Sequence, residues 1–444
     1  MKKLYIQTYG CQMNQHDSER IAHVMRRMNY LATDRADTAD LIILNTCSVR
    51  DKAEQKVYSA LGRWKELKEQ RDNLIIGVGG CMAQQEGEAL LKRAPHLDLV
   101  FGTHNIHKLP ELVNQIETAR ARPVEIAFYR DPSYMEDAEG RTHVQGAKAF
   151  VTIMQGCNKV CSFCVVPYVR GREVSRSSAM ILAEIESLVR QGVKEVMLLG
   201  QNVNSYGKTS PGELSFAELL SRVNTVEGLA RIRFTTSHPQ DLSPELINAF
   251  ASLDKLCEHL HLPVQSGSDS VLSRMRRGYS RGEYLQRILQ LKTRCPQVAL
   301  STDIIVGFPG ETEEEFGQTL EMLEEVEYDE IYAFMYSPRP QTVSAKLFDD
   351  DIADAIKKDR LKRVQALQQG ISLRKNREKI GGIEEVLVDG RSKLKTAQIM
   401  GRTRANRIVN LKGPETLLGT LISVGITGAT AKSLLGEMVS EKRV

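Results

Sequence analysis

Features that would place a chain in a membrane or outside the cell are missing from this sequence. No apolar run approaches the roughly 18 residues of a membrane span, and the opening "MKKLYIQTYG" lacks the longer apolar region of a secretory signal. The net charge is only +4, which is too mild to indicate a nucleic-acid partner by itself. Low-complexity tracts and short tandem repeats are also missing. We therefore expect a cytoplasmic monomer with no membrane partner, a setting in which disulfides are rare.

The eight cysteines are accordingly expected to be metal ligands, reactive thiols or small buried residues. Three of them, Cys157, Cys161 and Cys164, lie in the stretch "MQGCNKVCSFCVVPYVRGREVSR". No fourth cysteine stands near them, although most metal sites use four ligands. Cys257 and Cys295 follow no such pattern, and we assign them to the core.

The length of 444 residues is too great for one ordinary core, so we expect two or three domains. Residues 1–117 alternate short apolar runs with helical patterns, which predicts a small open parallel α/β domain. A cysteine follows each of its three predicted strands: Cys11, Cys47 and Cys81. In open parallel sheets ligands gather at the carboxyl ends of the strands, so we expect these cysteines to converge.

The rest of the chain divides into three further segments. Residues 118–147 are polar and contain prolines, which predicts a linker. Residues 148–380 repeat strand and helix six times, which predicts an open parallel barrel, written (β/α)6, with chemistry at the carboxyl ends of its strands. Residues 381–444 change to short strands and turns, which predicts a small β-barrel of the oligonucleotide-binding sort.

The spacing of Cys157, Cys161 and Cys164 favours an iron–sulfur cluster with one open iron. A four-iron cluster normally takes four thiolates, so three ligands leave one iron free to bind another molecule, as catalytic zinc sites keep a free position. A zinc site is the first alternative, but no second cysteine pair and no H-x₃₋₅-H pattern accompanies the loop. Inert buried thiols are the second alternative.

This loop, with Phe163 just before the last cysteine, resembles the motif of the radical S-adenosylmethionine enzymes. The resemblance implies that the open iron of a [4Fe–4S] cluster binds the methionine end of S-adenosylmethionine. An electron from the cluster then splits that cofactor and gives a 5′-deoxyadenosyl radical.

The stretches "YGCQMNQHDSE", "NTCSVRDKAEQKV" and "GVGGCMAQQEG" resemble the amino-terminal domain of the methylthiotransferase family of radical S-adenosylmethionine enzymes. The resemblance covers nearly the whole chain and includes a TRAM-like carboxy-terminal module. It implies that Cys11, Cys47 and Cys81 hold a second, auxiliary [4Fe–4S] cluster, through which the sulfur is delivered. Three thiols buried after strands are the alternative.

Within the family, "RGREVSR" and "NTCSVRDKAE" resemble the branch that acts on tRNA. That branch implies methylthiolation of carbon 2 of N6-isopentenyladenosine at position 37, where the hydrogen is too weakly acidic for a general base. It also implies three partners: tRNA, an electron donor such as flavodoxin or ferredoxin, and a sulfur and cluster supply system. Two alternatives are the same chemistry on threonylcarbamoyl-adenosine or a ribosomal protein, and a non-catalytic iron–sulfur RNA-binding redox sensor.

Residues at the other predicted strand ends are candidates for cofactor binding. By resemblance Gly200, Gln201 and Asn202 would lie beside the amino and carboxylate groups of the cofactor, unless they form an ordinary turn. Further candidates are Gln265 and Ser266 for a ribose or substrate and Gly307 for an adenine face. Their alternatives are a helix cap at Ser268 or Asp269 and a turn at Pro309–Gly310. We assign structural roles to Trp64, His238, His259 and His261.

Clusters of arginine, more than the net charge, indicate RNA binding. The candidate contacts form two sets: Arg170, Arg172 and Arg176 after the cysteine loop, and Arg402, Arg404 and Arg407 on the predicted β-barrel. A third cluster, "RMRRGYSR", supplies Arg274, Arg276, Arg277 and Arg281 with Tyr279. The alternative for each cluster is a solvated face, and for the β-barrel a module that only packs against its neighbour.

Overall fold

The computed structural model describes residues 1–47, 51–135, 146–392 and 398–439. Parts of three predicted segments lie outside the described residues. These are residues 48–50 of the "NTCSVRDKAE" stretch, residues 136–145 of the predicted linker, and residues 393–397 and 440–444 of the carboxy-terminal module. Within the described ranges, no helix is long and apolar enough to cross a bilayer.

The amino-terminal part is a six-stranded, all-parallel sheet with strand order β2-β1-β3-β4-β5-β6. Its strands are β1 Lys2–Thr8, β2 Tyr30–Ala32, β3 Leu41–Thr46, β4 Ile75–Gly80, β5 Leu99–Phe101 and β6 Val124–Glu125. Its helices are α1 Gln12–Arg26, α2 Asp51–Gln70, α3 Cys81–Glu86, α4 Glu88–Arg93 and α5 Leu109–Ala119. β3 and β4 are buried along their whole length, which explains their continuous apolar sequences.

Helices cover both faces of this sheet. Ile21 of α1 and Leu112 of α5 belong to one apolar cluster, and Leu61 and Trp64 of α2 belong to the cluster on the other face. Trp64 is only 4% exposed, so its predicted core position is confirmed.

The segment predicted as a linker is partly built into the fold. Val124–Glu125 forms β6, which pairs with β5 at the edge of the first sheet. Further along, Tyr134 and Met135 are buried and pack against Val174 of the central part. A strand of two residues has no periodicity, so the sequence could not reveal it.

The central part is the predicted open barrel of six parallel strands. Its strands and a short hairpin are β7 Lys148–Thr152, β8 Met154–Gln155, β9 Val174–Ser175, β10 Glu195–Leu199, β11 Arg231–Phe234, β12 His259–His261, β13 Ala299–Val306 and β14 Glu330–Met335. The orders β11-β10-β7 and β12-β13-β14 are joined by a parallel bridge between Ile232 and Leu256. We call this part the half-barrel, because no pairing between β7 and β14 closes it within the described ranges.

Helices on the outer face of the half-barrel complete its core. They are α7 Ser178–Arg190, α8 Phe216–Asn224, α9 Pro244–Ser252, α10 Asp269–Arg274, α11 Arg281–Arg294, α12 Glu313–Val326 and α14 Asp354–Arg377. Two further short helices are α6 Val166–Arg170, which follows the cysteine loop, and α13 Val343–Leu347. Alternate strand residues such as Ile232, Phe234 and Ile304 enter the core beneath the outer helices, and the residues between face the lumen. Cys257 and Cys295 are buried, as expected for core thiols.

The carboxy-terminal part is a closed barrel with strand order β15-β16-β17-β19-β18, which confirms the predicted small β-barrel. Its strands are β15 Ile383–Arg391, β16 Gln398–Thr403, β17 Ile408–Lys412, β18 Leu421–Ala429 and β19 Leu434–Met438. Alternate residues such as Val386 and Val388 fill its interior together with Val409 and Val424.

Buried arginines fasten the small barrel to the amino-terminal end of the half-barrel strands. Arg231 Nη1 donates to the backbone oxygen of Arg402 at 2.8 Å, and Arg233 Nη2 donates to that of Thr403 at 2.6 Å. Both guanidinium groups are buried and share Glu195 as a counter-charge. Because guanidinium donors point in a fixed fork, these bonds set the orientation of the small barrel.

The arginines of the "GRTRANR" turn belong to the same interface. Arg404 Nε donates to the Glu258 carboxylate at 2.8 and 3.1 Å, Arg407 pairs with Asp329, and Arg402 donates within its own turn at 3.1 Å. The structure therefore does not support the predicted RNA contact of Arg404 and Arg407, whereas that of Arg402 stays a prediction. Glu258 and Asp329 lie 146 and 78 residues away from their partners in the sequence, so the arginine cluster alone could not reveal them.

Replacing Arg404 by alanine should destabilise the folded chain. The change removes charge-assisted hydrogen bonds and leaves Glu258 partly buried without its partner, so we expect the free energy of unfolding to fall by about 1–3 kcal/mol. Thermal or denaturant unfolding of the full chain measures the change.

Arg391→Ala is the matched control on the same small barrel. Arg391 pairs with Glu415, but the two side chains are 67% and 55% exposed, so their loss should have no measurable effect on stability. An equal loss of stability in both variants would contradict the docking role of Arg404.

Candidate active site at the mouth of the half-barrel

The cysteine loop follows β8 and is held by backbone hydrogen bonds to other segments and within itself. Cys157 N donates to the Gly171 oxygen at 3.1 Å, and Cys164 N donates to the Cys161 oxygen at 3.1 Å. Between them, Ser162 N bonds to the Met275 oxygen at 2.9 Å. The three thiols therefore stand on a fixed turn at the carboxyl ends of the half-barrel strands, where the sequence predicts the active face.

Gly156 permits the close approach that this loop needs. Its φ is +84°, and a Cβ at this position would lie 2.0 Å from the backbone oxygen of Arg172. Gln201 Oε1 accepts a hydrogen bond from Gly156 N at 2.5 Å. The loop is thus tied to the end of β10, and Gln201 lies beside it; the contact of Gln201 with the cofactor stays a prediction.

Burial controls the protonation of the loop thiols. It raises the pKa of Cys157 to about 11 and that of Cys164 to about 12. Thiols with such pKa values stay protonated near neutral pH, and a bound metal would displace their protons.

Arg277 supplies a permanent positive charge beside Cys161. Its Nη1 lies 3.2 Å from Cys161 Sγ, and its Nη2 donates to the Pro263 oxygen at 2.7 Å. Although burial opposes its charge, the neighbouring Tyr279 and Cys161 hold the pKa of Arg277 above its ordinary value. The sequence does not indicate this role, because Arg277 stands there among several arginines of an expected RNA-binding cluster.

The other members of that cluster differ in what they contact. Arg274 pairs with Glu315, and Arg281 contacts two glutamates of α12. Arg276 is exposed. Of the four arginines in this segment, Arg276 is therefore the one that stays a candidate for RNA contact.

His238 is a neutral member of the site. Its Nε2 lies 4.0 Å from Cys161 Sγ, and its ring packs edge-on against Tyr279. Burial, reinforced by the charge of Arg277, lowers the pKa of His238 to about 2. The sequence analysis assigns His238 a structural role and does not place it beside the cysteine loop. The available signal was its position in "TSHP", at the end of a predicted strand.

Three buried polar atoms at the ends of β10 and β11 have no hydrogen-bond partner among the described residues: Gln201 Nε2, Asn202 Oδ1 and Ser237 Oγ. Asn202 itself is held by a 2.8 Å hydrogen bond from Nδ2 to Asp241. Buried polar groups are normally satisfied, so these atoms indicate a polar ligand. Donors and an acceptor of this kind suit the amino and carboxylate groups of an amino acid.

Other predicted cofactor residues have structural partners. Ser266 Oγ accepts from Ser268 N at 3.2 Å, and Ser268 caps α10. A Cβ at Gly307 would lie 2.4 Å from Lys357 Cγ, so a protein side chain already fills the space beside this glycine. For Ser266 and Gly307 the structure therefore favours the structural alternatives over a ligand contact.

The remaining candidates pack against their neighbours. A Cβ at Gly200 would lie 2.6 Å from Met154 Cγ, which explains the glycine by packing. Phe163 packs against the apolar cluster that contains Met275 and Phe308. Gln265 adopts a φ of +78° and carries a backbone bridge to β13.

The second cysteine triplet gathers at the carboxyl ends of three adjacent strands. The ends of β1, β3 and β4 are in register, since Thr8 pairs with Asn45 and Thr46 pairs with Gly80 across adjacent strands. The three cysteines follow these ends: Cys11 caps α1, Cys47 succeeds β3 and Cys81 begins α3. A Cβ at Gly10 would lie 2.8 Å from Cys47 Cβ, which shows how closely these chain segments approach.

In the part of the chain that the structure describes, no three histidine, cysteine or carboxylate side chains are placed to hold one metal ion together. A four-iron cluster bonds each thiolate to a different iron, so its ligands stand further apart than those of zinc.

Helix α6 brings the two cysteine sites together. It begins at Val166, immediately after the loop of Cys164, and Val165 and Val169 pack against Cys81 of the second triplet. Both sites thus adjoin one short segment.

His104 holds the far end of α6. Its Nδ1 accepts from Tyr129 N at 3.1 Å, so its proton is on Nε2, which donates to the Arg170 oxygen at 2.9 Å. The ring also stacks on Tyr134 at 4.3 Å. Burial lowers the pKa of His104 to about 4.

Two features define the class of this protein: the half-barrel, and a C-x₃-C-x₂-C loop at its mouth. Residues 151–323 match the Radical SAM superfamily, residues 3–102 the uncharacterized protein family UPF0004, and residues 377–439 the TRAM domain. Among solved structures, the radical S-adenosylmethionine methyltransferase TsrM from Kitasatospora setae superposes with a TM-score of 0.60 at 15% identity, covering 78% of this chain and 77% of that one. At that identity the likeness shows the fold alone.

Close relatives define the family. The tRNA-2-methylthio-N(6)-dimethylallyladenosine synthase of Geobacter metallireducens is 54% identical over 98% of both chains. The enzyme of the same name from Clostridium botulinum is 48% identical over 98% of this chain and 97% of its own. The chain belongs to the family of tRNA-2-methylthio-N(6)-dimethylallyladenosine synthases.

Membership of the Radical SAM superfamily implies a [4Fe–4S] cluster and S-adenosylmethionine. The residues at the mouth of the half-barrel fit both groups. The loop offers three thiols, and the unpartnered atoms of Gln201, Asn202 and Ser237 suit the methionine end of the cofactor.

Acid should weaken the folded state through His104. Its pKa is about 4 when folded and about 6.5 when unfolded, so between these values the unfolded chain binds a proton that the folded chain does not. Stability therefore falls as the pH drops from 6.5 toward 4, by up to about 3 kcal/mol from this residue.

Denaturant unfolding of the metal-free chain at several pH values between 4.5 and 7.5 measures this effect. His104→Gln should flatten the slope below pH 6.5, even if it lowers stability at pH 7. An unchanged slope would show that His104 is not the titrating group.

Proposed function

We propose that this chain methylthiolates carbon 2 of N6-isopentenyladenosine at position 37 of tRNA. The observation that carries the proposal is that both cysteine sites adjoin α6: the loop of Cys164 leads directly into this helix, and Val165 and Val169 pack against Cys81. One open cluster suffices to form a radical. A second open cluster could carry the sulfur atom that is inserted into the substrate. The names of the full-length relatives support the same reaction and substrate.

The chemistry requires a radical because the carbon 2 hydrogen has no useful acidity for a general base. When bound, S-adenosylmethionine and the cluster at Cys157, Cys161 and Cys164 supply a 5′-deoxyadenosyl radical. The chain's own part is to hold those thiolates and to bind the amino-acid end of the cofactor through Gln201 and Asn202. Cys11, Cys47 and Cys81 would hold the auxiliary [4Fe–4S] cluster through which sulfur is delivered.

The lumen of the half-barrel suits a purine with an apolar substituent. Tyr332 and Phe334 on the edge strand β14 are each 45% exposed, while the alternate residues Ile331 and Ala333 pack against the helices. Aromatic side chains stack on unpaired bases, and a base of the anticodon loop can leave its stack at modest cost. These two rings offer a surface for the adenine and its isopentenyl group.

The charges near the aromatic pair have both signs. His261 Nε2 lies 3.6 Å from Asp303 Oδ1, and the His261 ring contacts Tyr332 edge-on at 5.8 Å. The positive charge of Arg402 also acts on Tyr332. The preference for isopentenyladenosine over threonylcarbamoyl-adenosine is therefore supported by the names of the relatives and not by the charge of the lumen.

The proposed reaction needs partners beyond the tRNA. An electron donor such as flavodoxin or ferredoxin would reduce the radical-forming cluster, and a sulfur and cluster supply system would restore the auxiliary one. Arg172 and Arg276 are exposed and are the proposed phosphate contacts near the mouth. A tRNA substrate fits a cytoplasmic enzyme, and we propose that it acts as a monomer.

Anaerobically reconstituted protein should hold about eight irons, four for each cysteine triplet. Changing Cys157, Cys161 and Cys164 to alanine should leave about half of the iron, and so should the same change at Cys11, Cys47 and Cys81. Iron analysis together with electron paramagnetic resonance measures both. Loss of either triplet without loss of iron would contradict the two-cluster proposal.

Nucleoside mass spectrometry of tRNA tests the reaction and the substrate together. Cells that lack this chain should accumulate N6-isopentenyladenosine, and the chain should restore the 2-methylthio derivative. A Cys11→Ala variant should restore none, although the purified variant still splits S-adenosylmethionine. Methylthiolated threonylcarbamoyl-adenosine would point to the alternative substrate, and a chain that cannot split the cofactor would point to a redox sensor.

A further inference from the structure

Arg170 stands at the end of α6, between the two cysteine sites. The sequence predicts it as an RNA contact, but its side chain is only 3% exposed. Arg170 Nη2 donates to Asp17 Oδ2 at 2.7 Å, and Asp17 is 4% exposed on α1, the helix that Cys11 caps. The structure therefore does not support the RNA contact, because both charges are enclosed at the junction of the two domains.

Arg176, the third residue of the predicted set, is also turned inward. It is 5% exposed and pairs with Glu184 at 2.7 Å. Its carboxylate partner lies on α7 and not on the helix that Cys11 caps, so Arg176 provides a comparison for Arg170. Of the three predicted contacts after the loop, Arg172 is the one that is exposed.

The surroundings of Arg170 are those of the second cysteine site. Val169, its neighbour on α6, packs against Cys81. A guanidinium keeps its charge in proteins, so Arg170 is a fixed cation next to the segment that contacts Cys81.

One donor of Arg170 remains available. Its Nη1 is buried and has no hydrogen-bond partner among the described residues, whereas Nη2 is taken by Asp17. An unsatisfied buried donor on a charged group is costly. A negatively charged group held by Cys11, Cys47 and Cys81 would satisfy it.

A charge in this position acts on an iron–sulfur cluster. Reduction adds one negative charge, and the potential depends on net charge and on hydrogen bonds to the sulfurs. A fixed cation nearby stabilises the reduced form more than the oxidised form, and a fixed anion does the opposite. Arg170 and Asp17 should therefore shift the potential in opposite directions.

We propose that Arg170 is a positioning residue of the second cysteine site, where its guanidinium raises the reduction potential of the cluster and Asp17 holds it in place. The inference rests on the proposed second cluster. A purely structural role, in which the ion pair only holds the two domains together, would change iron retention or stability. It would not shift the reduction potential according to the charge of the residue.

The test uses the full-length chain with Cys157, Cys161 and Cys164 changed to alanine, so that only the second cluster is present. Its midpoint potential is measured by anaerobic titration followed by electron paramagnetic resonance. Iron content is read first in this parent. If the parent binds no iron, the proposed second cluster fails, and that failure is separate from the test of Arg170.

In this parent, Arg170→Gln should lower the reduction equilibrium constant at least tenfold, which is about 59 mV for a one-electron couple. Arg170→Lys keeps the charge and should stay near the parent, whereas Asp17→Asn should raise the potential. Arg176→Gln, which breaks the buried pair with Glu184 instead, should leave it unchanged.

Opposite shifts in Arg170→Gln and Asp17→Asn would support the proposal. Shifts of the same sign, or unchanged potentials in variants that retain iron, would overturn it. If Arg170→Gln does not fold, Asp17→Asn decides alone, and a potential that fails to rise overturns the proposal.

Discussion

Buried guanidinium groups that find their partners in another domain fix the arrangement of the whole molecule. Arg170 of the half-barrel pairs with Asp17 of the first domain, and Arg231 and Arg233 bond to the backbone of the small barrel. Burying such charges is costly, so they add little net stability. Their value lies in geometry, because a planar fork of donors accepts few orientations of its partner.

This constraint decides which end of the half-barrel is open to chemistry. The small barrel is bonded to the amino-terminal ends of the strands through Arg404 and Arg407. The first domain is bonded at the opposite end, beside the cysteine loop. The carboxyl ends of two different parallel sheets are thereby turned toward one another, and α6 is the segment that both share. Two cysteine sites far apart in sequence consequently become neighbours.

The sequence predicted the parts of this architecture that depend on local pattern. Apolar runs located three of the six strands of the first sheet and the six parallel strands of the half-barrel. The cysteines after them marked the two sites, because the carboxyl end of a strand is also the ligand edge of a sheet. It failed where a role depends on distant partners. Arg170, Arg404 and Arg407 form basic clusters along the chain, yet their carboxylates come from other domains.

Smaller discrepancies have the same physical origin. Val124–Glu125 is a strand only because β5 presents an edge to it. Ser266 and Gly307 have the composition of a binding loop, but Thr319 and Lys357 occupy the space beside them. Arg277 and His238 reach Cys161 from different strand ends, and no spacing along the chain indicates that they meet.

We propose that two clusters share one catalytic centre at α6, and magnetic coupling between them tests this proposal most directly. The measurement is the electron paramagnetic resonance spectrum of the fully reduced protein, compared with the sum of the spectra from the two triple-alanine variants. If the two clusters are neighbours, their spins interact, and the spectrum of the intact protein differs from that sum. A spectrum equal to the sum, with full iron content in the intact protein, would contradict the shared centre.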